Sequence, residues 1–85
     1  MAQWTNGPAD ERHLSDISGQ LPIAGRVRIL LKDGRVFEGI IRGGSVGNNA
    51  GKGGWRYYGQ CDVEGSNGQV MTVDYMDIQS ASSVP

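Results

Sequence analysis

Eighty-five residues, 38 % of them apolar and 14 of them glycine, allow one small core and much turn, and exclude a second domain. A single cysteine excludes an internal disulfide, and with a single histidine no metal-ligand spacing arises, so neither a metal nor another cofactor is expected. A net charge of −1 excludes the strongly basic character of many nucleic-acid binders, and no apolar run exceeds three residues, so no membrane partner is expected.

Taken in chain order, residues 1–7 are expected to be a flexible N-terminus, with Trp4 free to fold back onto the body. Residues 8–18 read as a short helix. Pro8 suits the first helical position, Asp10 and Glu11 favour the positive end of the helix dipole, and Gly19 supplies a stop. Leu14 and Ile17, three apart, share a face, whereas His13 is expected on the exposed side. After a connector containing Pro22, residues 26–32 alternate as a first strand, with Val27, Ile29 and Leu31 inward. Asp33-Gly34 is a hairpin signal, because a tight turn needs positive φ and glycine adopts it without strain.

A second strand over 35–43 carries Phe37 and Ile41 toward the core, with Gly39 marking a bend or a close backbone approach. Residues 43–54 are expected to be a glycine-rich loop. Residues 55–64 alternate as a third strand, with Trp55, Tyr57, Gly59, Cys61 and Val63 on the core face and Tyr58 on the other. Asn67-Gly68 marks a second hairpin turn. Strands over 70–75 and 78–81 follow, joined by a corner at Tyr75-Met76-Asp77, with 82–85 as a flexible tail. The domain proper is thus expected over 8–81.

The run Val27-Arg28-Ile29-Leu30-Leu31-Lys32-Asp33-Gly34-Arg35, then Gly39 and Ile41-Arg42-Gly43, resembles the first motif of the Sm-like family. That family includes the eukaryotic Sm and LSm proteins and the bacterial RNA chaperone Hfq. The resemblance covers about 20 residues and implies an all-β fold: a small, strongly bent five-stranded barrel with a short N-terminal helix over one open end. It further implies a homo-oligomeric ring, in which the fourth strand of one subunit pairs with the fifth of the next. On this chain the ring-forming residues would be Val70, Met71, Thr72, Val73, Tyr75 and Ile78. Single-stranded RNA, often uridine-rich, is the implied ligand. Gly44-Ser45 stand where the family usually has an aromatic-Asp pair, and Val73 to Ile78 stand in place of its second motif.

The charge is unevenly spread. Residues 24–56 hold seven bases and two acids, for a net +5, while 57–85 hold four acids and no base. One reading is ordinary surface charge; the other is a dipolar subunit whose basic part meets phosphate. The candidate nucleic-acid-binding residues are Arg26, Arg28, Lys32, Arg35, Arg42, Asn48, Asn49, Lys52, Arg56 and Tyr58. Basic groups would neutralise phosphates, and Tyr58 would either stack on an unpaired base or pack in a subunit interface. The alternative is a protein–protein adaptor of the same fold, with its acidic half (Asp62, Glu64, Asp74) meeting a basic partner.

Catalysis finds no support, since no histidine neighbours a serine or cysteine motif. Gly51-Lys52 is not a P-loop: Val46 occupies the first glycine position, and Gly53 replaces the hydroxyl residue that holds magnesium. Met1-Ala2-Gln3-Trp4 lacks the basic start and apolar run of a secretory leader, so a reducing, cytoplasmic setting is expected.

Overall fold

The computed structural model describes residues 3–22 and 25–84. A helix, α1 (Pro8–Gln20), precedes five strands: β1 (Arg26–Leu31), β2 (Val36–Asn48), β3 (Tyr57–Glu64), β4 (Val70–Asp74) and β5 (Ile78–Ser83). All pair antiparallel in one sheet, in the order β4-β3-β2-β1-β5. β4 and β5 are therefore the two edges, joined by a single 3₁₀ turn at Tyr75–Asp77, and no ladder links them among the described residues. No helix among these residues is long and apolar enough to cross a membrane.

The alternation that marks β1 in sequence is the alternation of burial in space. Val27, Ile29 and Leu31 are buried, and across the sheet Cys61, Val63 and Val73 join them. Ile17 of α1 and Ile78 at the start of β5 complete this core, with Leu14, Phe37 and Ile41 packed at its margin. Each fully buried aliphatic side chain contributes about 1.5–3 kcal/mol. Gly39 lies opposite Val27, and a Cβ there would fall 2.5 Å from the Glu64 carbonyl oxygen. This is the close backbone approach that glycine inside a strand announces.

Several elements depart from expectation. The helix runs through Gly19 to Gln20, whose Oε1 accepts from the Ala81 N–H at 2.9 Å. His13 is half-buried, and its Nε2 donates to the Ile78 carbonyl at 2.7 Å, tying α1 to the start of β5. Most of the expected glycine-rich loop is strand: β2 continues to Asn48, because β3 offers it a ladder from Gly43↔Asp62 to Asn48↔Tyr57 after a bulge near Arg42. The expected tail is also ordered, since Ser82 and Ser83 pair with β1 and the Val84 N–H reaches the Arg26 carbonyl at 3.0 Å.

The N-terminal segment is likewise tied down. Thr5 is 1 % exposed. Its N–H donates to the Tyr57 carbonyl at 2.8 Å, its Oγ1 accepts from the Tyr57 N–H at 2.9 Å, and its carbonyl accepts from Arg56 Nε at 2.9 Å. Gln3 adds a bond from its N–H to Asp74 Oδ2 at 2.7 Å. Asp74 also caps the 3₁₀ turn by accepting from the Met76 N–H, so it is buried structure and not the surface group its sequence position suggests. Met1, Ala2 and Pro85 of the expected loose ends, and residues 23–24 of the connector, lie outside the described residues.

Candidate nucleic-acid interface

β2 outruns β1, whose ladder with it ends at Arg26↔Ile40. Opposite Gly43 to Ser45, β3 still pairs with β4 on its other side, and from Val46↔Gly59 onward β2 and β3 form a two-stranded arm. The arm ends in a loop built around one side chain. Asn49 Nδ2 donates to the Lys52 and Gly54 carbonyls, both at 2.9 Å, while its Oδ1 accepts from the Gly51 and Arg56 N–H groups. The chain reverses through positive φ at Ala50, Gly51, Gly53 and Gly54, which is why this stretch is rich in glycine. Asn48 Oδ1 accepts from the Ala50 N–H. Both asparagines among the nucleic-acid-binding candidates are thus engaged by the loop's own backbone.

Two aromatic pairs flank this arm. Tyr57 and Tyr58 are consecutive in β3 and point to opposite faces. On one face Trp55 stacks on Tyr57, with centroids 6.4 Å apart and planes 15° from parallel. Gly51 lies against the indole, where a Cβ would come within 3.1 Å of the ring. On the other face Trp4 meets Tyr58 edge-on at 5.1 Å and 71°. Tyr58 rests on Gly47, and its hydroxyl lies 3.1 Å from Ser45 Oγ. Trp55 was expected in the core but is 60 % exposed, because strand pairing starts only at Tyr57 and the ring falls in the loop. Trp4 and Trp55 are the residues that sequence reasoning did not assign to the interface. The turn-forming Gly53-Gly54 just before Trp55 was the available signal that this ring precedes the strand.

The ten candidate residues divide. Lys52, Arg56 and Tyr58 come together at the arm. Lys52 is exposed and has no ion-pair partner among the described residues, and Arg56 uses only Nε on Thr5. The other cations lie away from this end of β2. Lys32 and Arg35 flank the β1–β2 turn at its far end, and a 13-residue strand spans up to about 40 Å. Three of the other arginines are neutralised by carboxylates: Arg28 by Glu38 at 2.9 Å, Arg35 by Asp33 at 2.7 Å and, midway along β2, Arg42 by Glu64 at 2.8 Å. The Arg35 backbone N–H and guanidinium hold the Asp33 carboxyl below its ordinary value. The hairpin is therefore no continuous basic strip, although Arg26 and Lys32 form no ion pair among the described residues.

The expected oligomer residues also divide. Val70, Met71 and Thr72 are exposed along the β4 edge. Val73, Tyr75 and Ile78 are buried: Val73 lies opposite Cys61, the Tyr75 ring covers Gly59, and Ile78 lies opposite Leu31. These three side chains serve the core, so contact at their positions falls to the backbone. Cys61 is buried, and desolvation with the nearby Asp62 charge pushes its thiol up to about 11. Burial also raises Tyr75. No group of three metal-ligating side chains occurs among the described residues. Comparison with protein-family models, curated proteins and solved structures gives no match.

Proposed function

We propose that this chain is a non-catalytic binding module on an Sm-like barrel, which self-associates through β4 and β5 and takes single-stranded RNA at the end of its β2–β3 arm. The observation that carries the reading is the exposed Trp55 ring, backed by Tyr57 and Gly51 and flanked in sequence by Lys52 and Arg56. An exposed aromatic ring with cations free of carboxylate partners close to it in the chain is what an unpaired base and its phosphates need, and each stacked base is worth about 1–3 kcal/mol. Self-association draws support from the sheet order. The strands that the Sm-like resemblance would join across subunits are the two outermost in the sheet order.

The adaptor reading draws less support. Asp62 accepts from Thr72 Oγ1, Glu64 holds Arg42, and Asp74 is spent on Met76 and Gln3, so the acidic half is largely engaged within the subunit.

Light scattering on a sizing column, with and without short oligouridine, combined with tryptophan fluorescence titration, tests the reading. The expected result is a closed assembly of several subunits that gains mass with RNA and whose emission is quenched. With Lys52 and Arg56 as the phosphate contacts, log affinity should fall with log salt at a slope of about −1.4 per subunit. A monomer that ignores RNA, or binding indifferent to salt, overturns it.

A further inference from the structure

The arm has two edges, and only one is covered. The Asn49 N–H donates to the Arg56 carbonyl at 3.2 Å, and the ladder keeps that register down to Gly43↔Asp62. Antiparallel alternation then directs the main-chain groups of residues 43, 45 and 47 toward β3, and those of Gly44, Val46 and Asn48 away from it. On the β3 side, Thr5 takes the outward groups of Tyr57. On the β2 side, Gly44, Val46 and Asn48 have no ladder partner among the described residues, because β1 ends opposite Ile40.

Beside that bare edge lies an apolar cleft of about 590 Å³ between α1 and the arm, lined by Leu14, Val46, Tyr57 and Tyr75 with Ser15 and Ser18. A second hollow of about 300 Å³ adjoins it at Ser18 and Tyr75 and reaches Pro22 and Gly44. Val46, on the cleft side of the strand, is 64 % exposed. Glu11 is the only charged residue lining the larger cleft, and it has no ion-pair partner among the described residues.

We infer that the Gly44–Val46–Asn48 edge and this cleft together form a β-augmentation site for an extended peptide of a partner protein, one that places an apolar side chain in the cleft and a lysine or arginine by Glu11. Three features specify that occupant. The free N–H and C=O groups call for another backbone in extended form. The residue opposite Val46 in an added strand shares its face and so enters the cleft. Glu11 selects a cationic residue at the rim. The glycines at 43, 44 and 47 leave the edge without bulky side chains. The inference does not rest on RNA binding, and it is tested without nucleic acid.

The experiment uses the full chain and a pool of capped decapeptides that alternate valine, leucine or isoleucine with threonine and carry one lysine. Amide hydrogen exchange and chemical-shift mapping follow Gly44, Val46 and Asn48. Their amides should exchange quickly in the free protein and slow by more than about tenfold with bound peptide. A peptide N-methylated at each of its valine, leucine and isoleucine residues keeps its side chains but loses the donors that face the Gly44–Val46–Asn48 edge, and should not bind. Glu11→Lys should weaken binding by about fivefold, and Val46→Glu should abolish it. Failure of every peptide in the pool at ~1 mM overturns the inference, as does equal binding of the N-methylated form. Protection already present in the free protein overturns it too. If that protection grows with protein concentration, a second copy of the chain holds the edge instead.

Discussion

Among the described residues Thr5 makes the hydrogen bonds that fasten the N-terminal segment to the arm, beside the Trp4–Tyr58 ring contact, and Thr5→Val isolates the part of that attachment made by its side chain. Valine keeps the shape and removes Oγ1, so no cavity opens. The Tyr57 N–H, which Oγ1 accepts at 2.9 Å, loses its partner at a site where residue 5 is 1 % exposed. Stranding such a donor costs about 1–3 kcal/mol. A domain of this length is stable by roughly 4–13 kcal/mol, so the loss is a substantial fraction. It should lower the melting temperature by about 10 °C and the urea midpoint by about 1–2 M, measured at one protein concentration. Thr5→Ser separates the two contributions. It keeps the hydrogen bond and gives up one methyl group, at about 1 kcal/mol. In Thr5→Val the Tyr57 amide should also exchange faster, and the Trp4–Tyr58 contact should loosen with a change in near-ultraviolet dichroism. If Thr5→Val unfolds within ~0.5 kcal/mol of the parent while Tyr57 stays equally protected, the attachment does not depend on Oγ1 and the reasoning fails.

Other consequences are open to the same instruments. Gly39→Ala drives a methyl into the Glu64 carbonyl and Val63, and should destabilise by about 1–3 kcal/mol. Gly19→Ala meets nothing within 4 Å in a helix and should stabilise by about 0.5–1 kcal/mol; in denaturant titrations a destabilised Gly19→Ala would refute the second argument, and a Gly39→Ala as stable as the parent the first. Trp55→Ala should weaken oligouridine binding by about 1–3 kcal/mol without altering the elution volume, and unchanged affinity would remove the proposed stacking face. Cys61 has a folded pKa of about 11 against an ordinary 9.0, so its contribution is complete below pH 9. As pH rises the unfolded thiol ionises first, and stability should fall by up to about 3 kcal/mol between pH 9 and 11. Tyr75 adds a decline of the same sign at higher pH. Cys61→Ala should flatten the first part of that slope, and an unchanged slope would assign it elsewhere.

The β1–β2 hairpin was legible because its signals are local: alternation sets the faces, and Asp33-Gly34 sets the turn. The buried face of β3 from Gly59 to Val63 was legible for the same reason. Residues 43–48 were not, since glycine has little strand preference of its own and pairs here only because β3 lies alongside. Thr5 was hidden by distance, as nothing near residue 5 announces a bond to residue 57. Candidate cations were visible as residue types, but their neutralisation was not. Arg28–Glu38 and Arg42–Glu64 are cross-strand pairs that exist only once the register is known. Trp55 was misplaced because a large aromatic ring in an alternating run reads as core, whereas the ladder begins two residues later.

Three of the aromatic rings lie on glycine: Tyr75 on Gly59, Tyr58 on Gly47 and Trp55 on Gly51. Each pair fills one volume, with the ring occupying the space that a Cβ on its partner would need. In diverged relatives the two positions of a pair should therefore change together, with a larger residue at 59 or 47 accompanied by a smaller one at 75 or 58, whereas Gly51, at φ 78°, is held to glycine by its backbone as well. The same coupling offers second-site suppression in the laboratory: the damage from Gly59→Ala should be partly repaired by Tyr75→Leu, and left unrepaired by shrinking either of the other two rings.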